Sequence, residues 1–187
     1  MFNFKTQITF AEELLSKLQM IDPFAMVAGG APRDWELKKY ANDLDIYLRM
    51  PNHNTLTLVE NVLRVFGVYK LRLLTKNENA NYEKLPDLKW VFEGYYCNQR
   101  INIMVITKGI REEIVSNFDV SLCECWFDGN EIKSTNKYKL TKETKICFVH
   151  KNYTGKELHI TKMMNRFTDY MFVKEINLGV KCQNLKC

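Results

Sequence analysis

Two adjacent glycines at positions 29 and 30 constrain this chain more than any other feature, because of what stands on either side of them. Phe24-Ala25-Met26-Val27-Ala28 is a short apolar run suited to a buried strand, with Asp22-Pro23 stopping whatever precedes it. The diglycine permits positive φ or close backbone approach, and Pro32 is favoured in a first helical turn. The segment predicts strand, tight turn, helix. Further on, Asp43-Leu44-Asp45-Ile46-Tyr47-Leu48 alternates strictly, so Asp43, Asp45 and Tyr47 share one strand face while Leu44, Ile46 and Leu48 share the other. Two carboxylates then stand side by side where the strand begins.

Other elements follow from caps and periodicity. Thr9-Phe10-Ala11-Glu12 has the form of a capping box and predicts a helix from there to Met20. Asn54 predicts the cap of a helix carrying Leu56, Val59, Val62, Leu63 and Phe66 on its apolar side. Strands are expected over 68–74, 90–97 and 101–106, with a loop over 76–86. A short helix is expected over 110–118, and a strand over 120–127 closed by Asp128-Gly129-Asn130. Residues 158–176 read as one amphipathic helix, and 179–187 have no clear period. Helices and strands that do not alternate regularly favour an α+β fold, a mixed β-sheet with flanking helices plus a C-terminal helix.

At 187 residues, with 46% hydrophobic and 26% charged residues, the chain is long enough for one self-sufficient core. No apolar run approaches the ~20 residues of a membrane helix. The segment Met1 to Thr6 lacks the pattern of a secretory signal, which predicts a cytoplasmic protein with no membrane partner. The six cysteines are then expected as reduced thiols. They include no C-x-x-C pair, and His150 and His159 are not at ligand spacing with any of them, which argues against zinc. Residues 133–187 carry 12 Lys and Arg against 4 Asp and Glu, whereas residues 1–132 carry 15 against 18. A polyanion docking on one side of a carboxylate-bearing site would favour that distribution; a solvated lysine-rich surface explains it equally well.

Two aspartates close together on one strand face repel unless a cation lies between them. Magnesium suits them, since it takes a few carboxylate oxygens and completes its shell with water and substrate phosphate. A glycine turn leading into a helix offers backbone N–H groups to phosphate, and Arg33 can add a forked cationic contact. Each part alone has a plain explanation: a turn, a solvated strand edge, a surface Arg33-Asp34 charge pair. Their order and spacing together describe a phosphoryl-transfer site.

Val27-Ala28-Gly29-Gly30-Ala31-Pro32-Arg33-Asp34, followed by Asn42-Asp43-Leu44-Asp45-Ile46, resembles the signature of the nucleotidyltransferase head domain of bacterial poly(A) polymerases and CCA-adding tRNA nucleotidyltransferases. A looser match runs from Asp119 to Asp128, with Asp119 at the family's later aspartate. The resemblance implies a DNA polymerase beta-like nucleotidyltransferase fold and transfer of a nucleoside monophosphate from an NTP to an acceptor hydroxyl. It implies two magnesium ions on Asp43 and Asp45, catalytic roles for Asp43, Asp45 and Asp119, and nucleotide contacts from Gly29, Gly30, Arg33 and Asp34. It also implies a minimal arrangement, a head over 1–150 and a basic helix and tail over 151–187, without neck or body domains.

Two positions depart from the family pattern. Ile101-Asn102-Ile103 puts an amide where a third carboxylate is usual, so Asp119 takes over or the second ion is weakly held. Asn117-Phe118 replaces paired arginines. The expected acceptor is an RNA 3′ end, with tRNA one candidate and a protein or small molecule the others. A head-like module that binds nucleotide or RNA without catalysis is the rival reading. His53, His150 and His159 read as surface residues, and Trp35, Trp90 and Trp126 as packing.

Overall fold

Asn3 caps the first helix, α1 (Phe4–Leu18), by accepting the Thr6 N–H at 3.0 Å. The helix therefore begins before the expected Thr9 box, and Thr9 instead donates its hydroxyl to the Lys5 carbonyl one turn back at 3.2 Å. The computed structural model describes residues 3–50, 54–75, 87–150 and 157–175. The expected loop over 76–86, the end of the chain after 175, and the thiols of Cys182 and Cys187 lie outside the described residues.

A seven-stranded mixed sheet organises the chain. In chain order its strands are β1 (Met26–Ala28), β2 (Leu44–Arg49), β3 (Tyr69–Leu73), β4 (Leu88–Tyr96), β5 (Gln99–Ile106), β6 (Cys125–Phe127) and β7 (Ile132–Ser134), and their spatial order is β3-β4-β5-β2-β1-β6-β7. Only β2 and β5 run parallel; the other neighbours are antiparallel. The alternation read in β2 holds: Leu44, Ile46 and Leu48 enter one core, and Tyr47 enters the other. The larger core packs that face of the sheet against α1, α2 (Gly30–Glu36) and α3 (Leu56–Val65). The cap of α3 is Thr55, whose hydroxyl accepts from the Leu58 N–H at 3.2 Å, one residue beyond the expected Asn54. On the opposite face α4 (Arg111–Val115) covers Tyr47, Met104 and Trp126. Tyr96 is buried and Tyr95 is not, as strand alternation requires.

Two expected elements are broken. The strand over 120–127 is a 3-10 turn at Ser121–Cys123 followed by the three residues of β6, because the Cys123 and Glu124 N–H groups bond back to Val120 and Ser121 rather than to a neighbouring strand. The helix over 158–176 ends early: α6 (Glu157–Arg166) gives way to β9 (Met171–Lys174), which pairs in parallel with β8 (Ile146–Val149). The apolar residues Met171 and Phe172, which fit a helical stripe, belong to this strand. Between β7 and β8 lies α5 (Asn136–Thr144), capped by the Thr135 hydroxyl. The sequence reading assigned none of β7, α5 and β8. A third core joins Val120, Leu122, Cys123, Cys147 and Val149 to Met163 and Phe167, which fastens α6 to the sheet.

Candidate active site

Register builds one polar row across the sheet. Asp45 pairs with Asn102, Asn102 with Glu93, and Glu93 with Arg72, so four side chain positions on β2, β5, β4 and β3 follow one another on one face. Asn102 is 4% exposed, and its amide donates to Asp45 Oδ1 at 2.9 Å and to Asp43 Oδ2 at 3.3 Å. One neutral group thus holds both half-buried carboxylates and offsets part of their repulsion. Glu93 is taken up by Arg100 at 2.6 Å and Arg72 at 3.6 Å, so it balances the cations beyond the pair. Two hard oxygen ligands converging on one small group fit a divalent cation of the magnesium type. Among the described residues, no group of three or more His, Cys, Asp and Glu is placed to hold a metal.

The glycine turn lies beside this row. Register pairs Val27 with Ile46, which sets Ala28 opposite Asp45 and brings the chain into Gly29 at the same end of the sheet. Gly29 has φ +83° and ψ −121°, a region open to glycine alone, and its N–H bonds to the Cys125 carbonyl at 2.9 Å. A Cβ there would meet the Phe118 ring at 3.4 Å. Phe118 in turn lies 5.7 Å from the Tyr47 ring, so these two aromatics floor the space between the glycine turn and the carboxylates. Burial, then the neighbouring charges of Asp45 and Asp119, push the Tyr47 hydroxyl well above its ordinary pKa. Tyr47 thus lies within the electrostatic reach of both Asp45 and Asp119.

Arg33 and Asp34 face inward, toward each other and toward α6. Arg33 is 4% exposed; its Nε donates to Asp34 Oδ1 at 3.0 Å and its Nη1 reaches Cys123 Sγ at 3.1 Å. Met163 Sδ lies 3.5 Å away and the Phe167 ring 4.8 Å away, both from α6. Asp34, 2% exposed, accepts Arg166 Nη2 on its other oxygen at 2.8 Å. Burial pushes the Cys123 thiol up to about 12, so it is neutral at physiological pH and the charge that balances Arg33 is Asp34. The four described cysteines are free thiols.

Asp119 is held from α6 as well. Its Oδ2 lies 2.6 Å from His159 Nδ1, and the hydrogen bond to that carboxylate raises the imidazole pKa against the opposing effects of burial, Arg33 and Lys162. The structure therefore brings Asp43, Asp45 and the glycine turn together around Tyr47 and Phe118, with Asp119 next to Phe118 in sequence and bonded to α6. Arg33 and Asp34 stand behind that space as a buried pair. Sequence reasoning missed three contributors: Asn102 as a clamp, Phe118 as floor and His159 as the partner of Asp119. Only Asn102 left a legible signal, its parallel strand opposite Asp45.

The mixed sheet, its flanking helices and solved relatives define an α+β nucleotidyltransferase fold. Similar structures include a CCA-adding enzyme with ATP, 16% identical and with a TM-score of 0.58 over 90% of this chain and 39% of that one. A Thermotoga maritima CCA-adding enzyme complexed with tRNA is 15% identical, with a TM-score of 0.56 over 94% of this chain and 43% of its own. A Bacillus stearothermophilus CCA-adding enzyme in complex with CTP is 14% identical, with a TM-score of 0.53 over 86% and 35%. The chain spans about two fifths of the length of the first two and 35% of the third. No protein-family model and no curated relative matches the sequence. Among the described residues no helix is long and apolar enough to cross a membrane.

Proposed function

We propose that this chain is a magnesium-dependent nucleotidyltransferase that moves a nucleoside monophosphate from an NTP to the 3′ hydroxyl of an RNA, with pyrophosphate released. The observation that carries this reading is the pair Asp43 and Asp45, clamped by one Asn102 amide at 3.3 and 2.9 Å on the sheet end that also carries the Gly29 turn. Magnesium bound there would lower the pKa of the attacking hydroxyl and shield the leaving pyrophosphate. The chain's own residues position and insulate. Asn102 keeps the carboxylates side by side, Gly29 and Gly30 leave the backbone open to phosphate, and Tyr47 and Phe118 keep water from the floor. Arg33 and Asp34 set the orientation of α2 and tie it to α6, and Asp119 is held by His159 from the same helix. The division into a head over 1–150 and a basic part over 151–187 gives the RNA a cationic approach, since the latter carries 7 Lys and Arg against 3 Asp and Glu. A CCA-adding enzyme complexed with tRNA among the structural relatives makes tRNA the first acceptor to test.

The neutral Asn102 and the buried Arg33 favour a second reading, a nucleotide-binding module without catalysis. One experiment separates the two. The full chain is incubated with each α-labelled NTP, Mg2+ and pools of total RNA and protein, beside Asp43→Ala/Asp45→Ala. Label in RNA that vanishes in the double variant supports the transferase. Nucleotide binding without label transfer to any acceptor supports the module and overturns the transferase.

A further inference from the structure

The arginine of the diglycine segment is spent: Arg33 is buried, paired with Asp34 and covered by Met163 and Phe167. Asn117 and Phe118, just before Asp119, carry no charge. A polyphosphate lying near Gly29 therefore needs cations from elsewhere, because several negative charges in a partly dry cleft require opposite charge at close range. Helix α6 brings exposed basic groups beside Asp119, the residue that follows the Phe118 ring packed against Gly29. Met163, Arg166 and Phe167 are turned onto α2 and the third core, which fixes the helix rotation. Residues 159 and 162 precede Met163 and Arg166 by four and by one and four positions, so they continue the same side of the helix toward its N-terminal end. His159 is bonded through Nδ1 to Asp119 and has a side chain 47% exposed. Lys162 is exposed and close enough to His159 to act on its titration, and it has no ion pair among the described residues.

Resting on the nucleotidyltransferase reading above, the geometry points to a polyphosphate-binding face on α6, formed by His159 held by Asp119 and by Lys162 one turn on. Asp119 is then a positioning residue: its bond to Nδ1 fixes the ring and leaves Nε2 free of that contact. When the imidazole is protonated, both nitrogens donate, and Nε2–H can bond a phosphate oxygen.

The test is equilibrium binding by the full chain, with Mg2+ and at low salt, of three probes: a non-hydrolysable ATP analogue, tripolyphosphate and AMP. A charge-assisted phosphate contact is worth about 1.5–3 kcal/mol, so His159→Gln and Lys162→Gln should each weaken the first two probes by roughly tenfold or more and leave AMP unchanged. Lys162→Gln alters no packed side chain, so it keeps the test informative if His159→Gln loses stability. Mn2+ binding without nucleotide should be the same in all variants. Wild-type binding of the analogue with no loss in either variant overturns the α6 face and leaves nucleotidyl transfer standing. A wild-type chain that binds neither the analogue nor tripolyphosphate overturns both.

Discussion

Replacing Asn102 by aspartate puts a third carboxylate where an amide now donates to Asp45 at 2.9 Å and Asp43 at 3.3 Å. Two losses combine. The two hydrogen bonds to charged acceptors are worth about 1.5–3 kcal/mol each, toward the lower end here because both acceptors are partly exposed. The new charge also repels its neighbours, by about 4 kcal/mol per pair at 4 Å and an effective dielectric of 20, and by less where water reaches them. Uptake of one proton limits the total, because each unit of raised pKa costs only about 1.4 kcal/mol. In EDTA at pH 8 the variant should lose about 3–5 kcal/mol, which at roughly 2–4 °C per kcal/mol lowers its Tm by roughly 10 °C. The crowded carboxyls have folded pKa values above their unfolded ones. The deficit is therefore largest at high pH and shrinks as the pH falls through those folded values. An ion that binds only the folded chain returns about 2.7 kcal/mol at a hundred times its Kd, and a third carboxylate lowers that Kd. Mg2+ or Mn2+ should therefore restore most of the variant's loss and raise wild type less. Asn102→Ala removes the bonds without adding charge and should fall between them in EDTA. Thermal and urea unfolding with and without ions reads all three; equal Tm values for wild type and Asn102→Asp in EDTA, or equal gains on adding Mn2+, refute the clamp.

Three further outcomes follow from the same geometry. Asp34→Ala leaves the buried Arg33 without its carboxylate and should cost about 3–5 kcal/mol in urea unfolding, whereas Arg166→Ala, at the partly exposed end of the pair, should cost about 1 kcal/mol or less; comparable small losses contradict the buried pair. Gly29→Ala should cost about 1–3 kcal/mol from backbone strain alone and press Phe118 toward Tyr47, while Gly30→Ala, at ordinary helical φ, should be neutral or stabilise by about 0.4–1 kcal/mol; equal effects on unfolding would remove the special role of Gly29. The raised pKa of His159 means that its pairing with Asp119 stabilises the fold fully below the unfolded histidine value and loses that effect as pH rises through the folded one. Wild type should exceed His159→Gln in stability by more at pH 6 than at pH 9, and a flat or reversed difference refutes the pairing.

Legibility followed the range of the interactions. The strand, diglycine turn and second strand were readable because their signals are local: strict alternation in β2, and a glycine where the backbone needs positive φ. Helix starts were misplaced where two capping residues competed, Asn3 against Thr9 and Thr55 against Asn54, because a cap is chosen by how far the buried stripe extends. In α1 the stripe runs back to Gln7, whose side chain amide bonds the Ala41 carbonyl and Gln99, so the helix begins early enough to bury a polar residue no hydrophobic period reveals. α5 escaped notice for a related reason. Only Tyr138 and Thr141 are buried along it, too little for a period to show.

The C-terminal region was hardest to read, and it changes the site most. Apolar residues at 160, 163, 164, 167, 171 and 172 fit one helix, but the β8 strand was not recognised, so nothing indicated that Met171 and Phe172 had a strand to pair with. Once the helix stops at Arg166, its last turn can reach Asp34 and its first turn Asp119, and these two anchors lie in segments separated by more than 80 residues. A motif read in isolation assigns Arg33 to whatever occupies the cleft. In the folded chain the same arginine is enclosed by α6, and a buried guanidinium paired with a carboxylate has little left to offer a phosphate. On the α6 proposal, cationic function at the glycine turn passes to the element that does the enclosing, and substitution in α6 should separate nucleotide binding from metal binding.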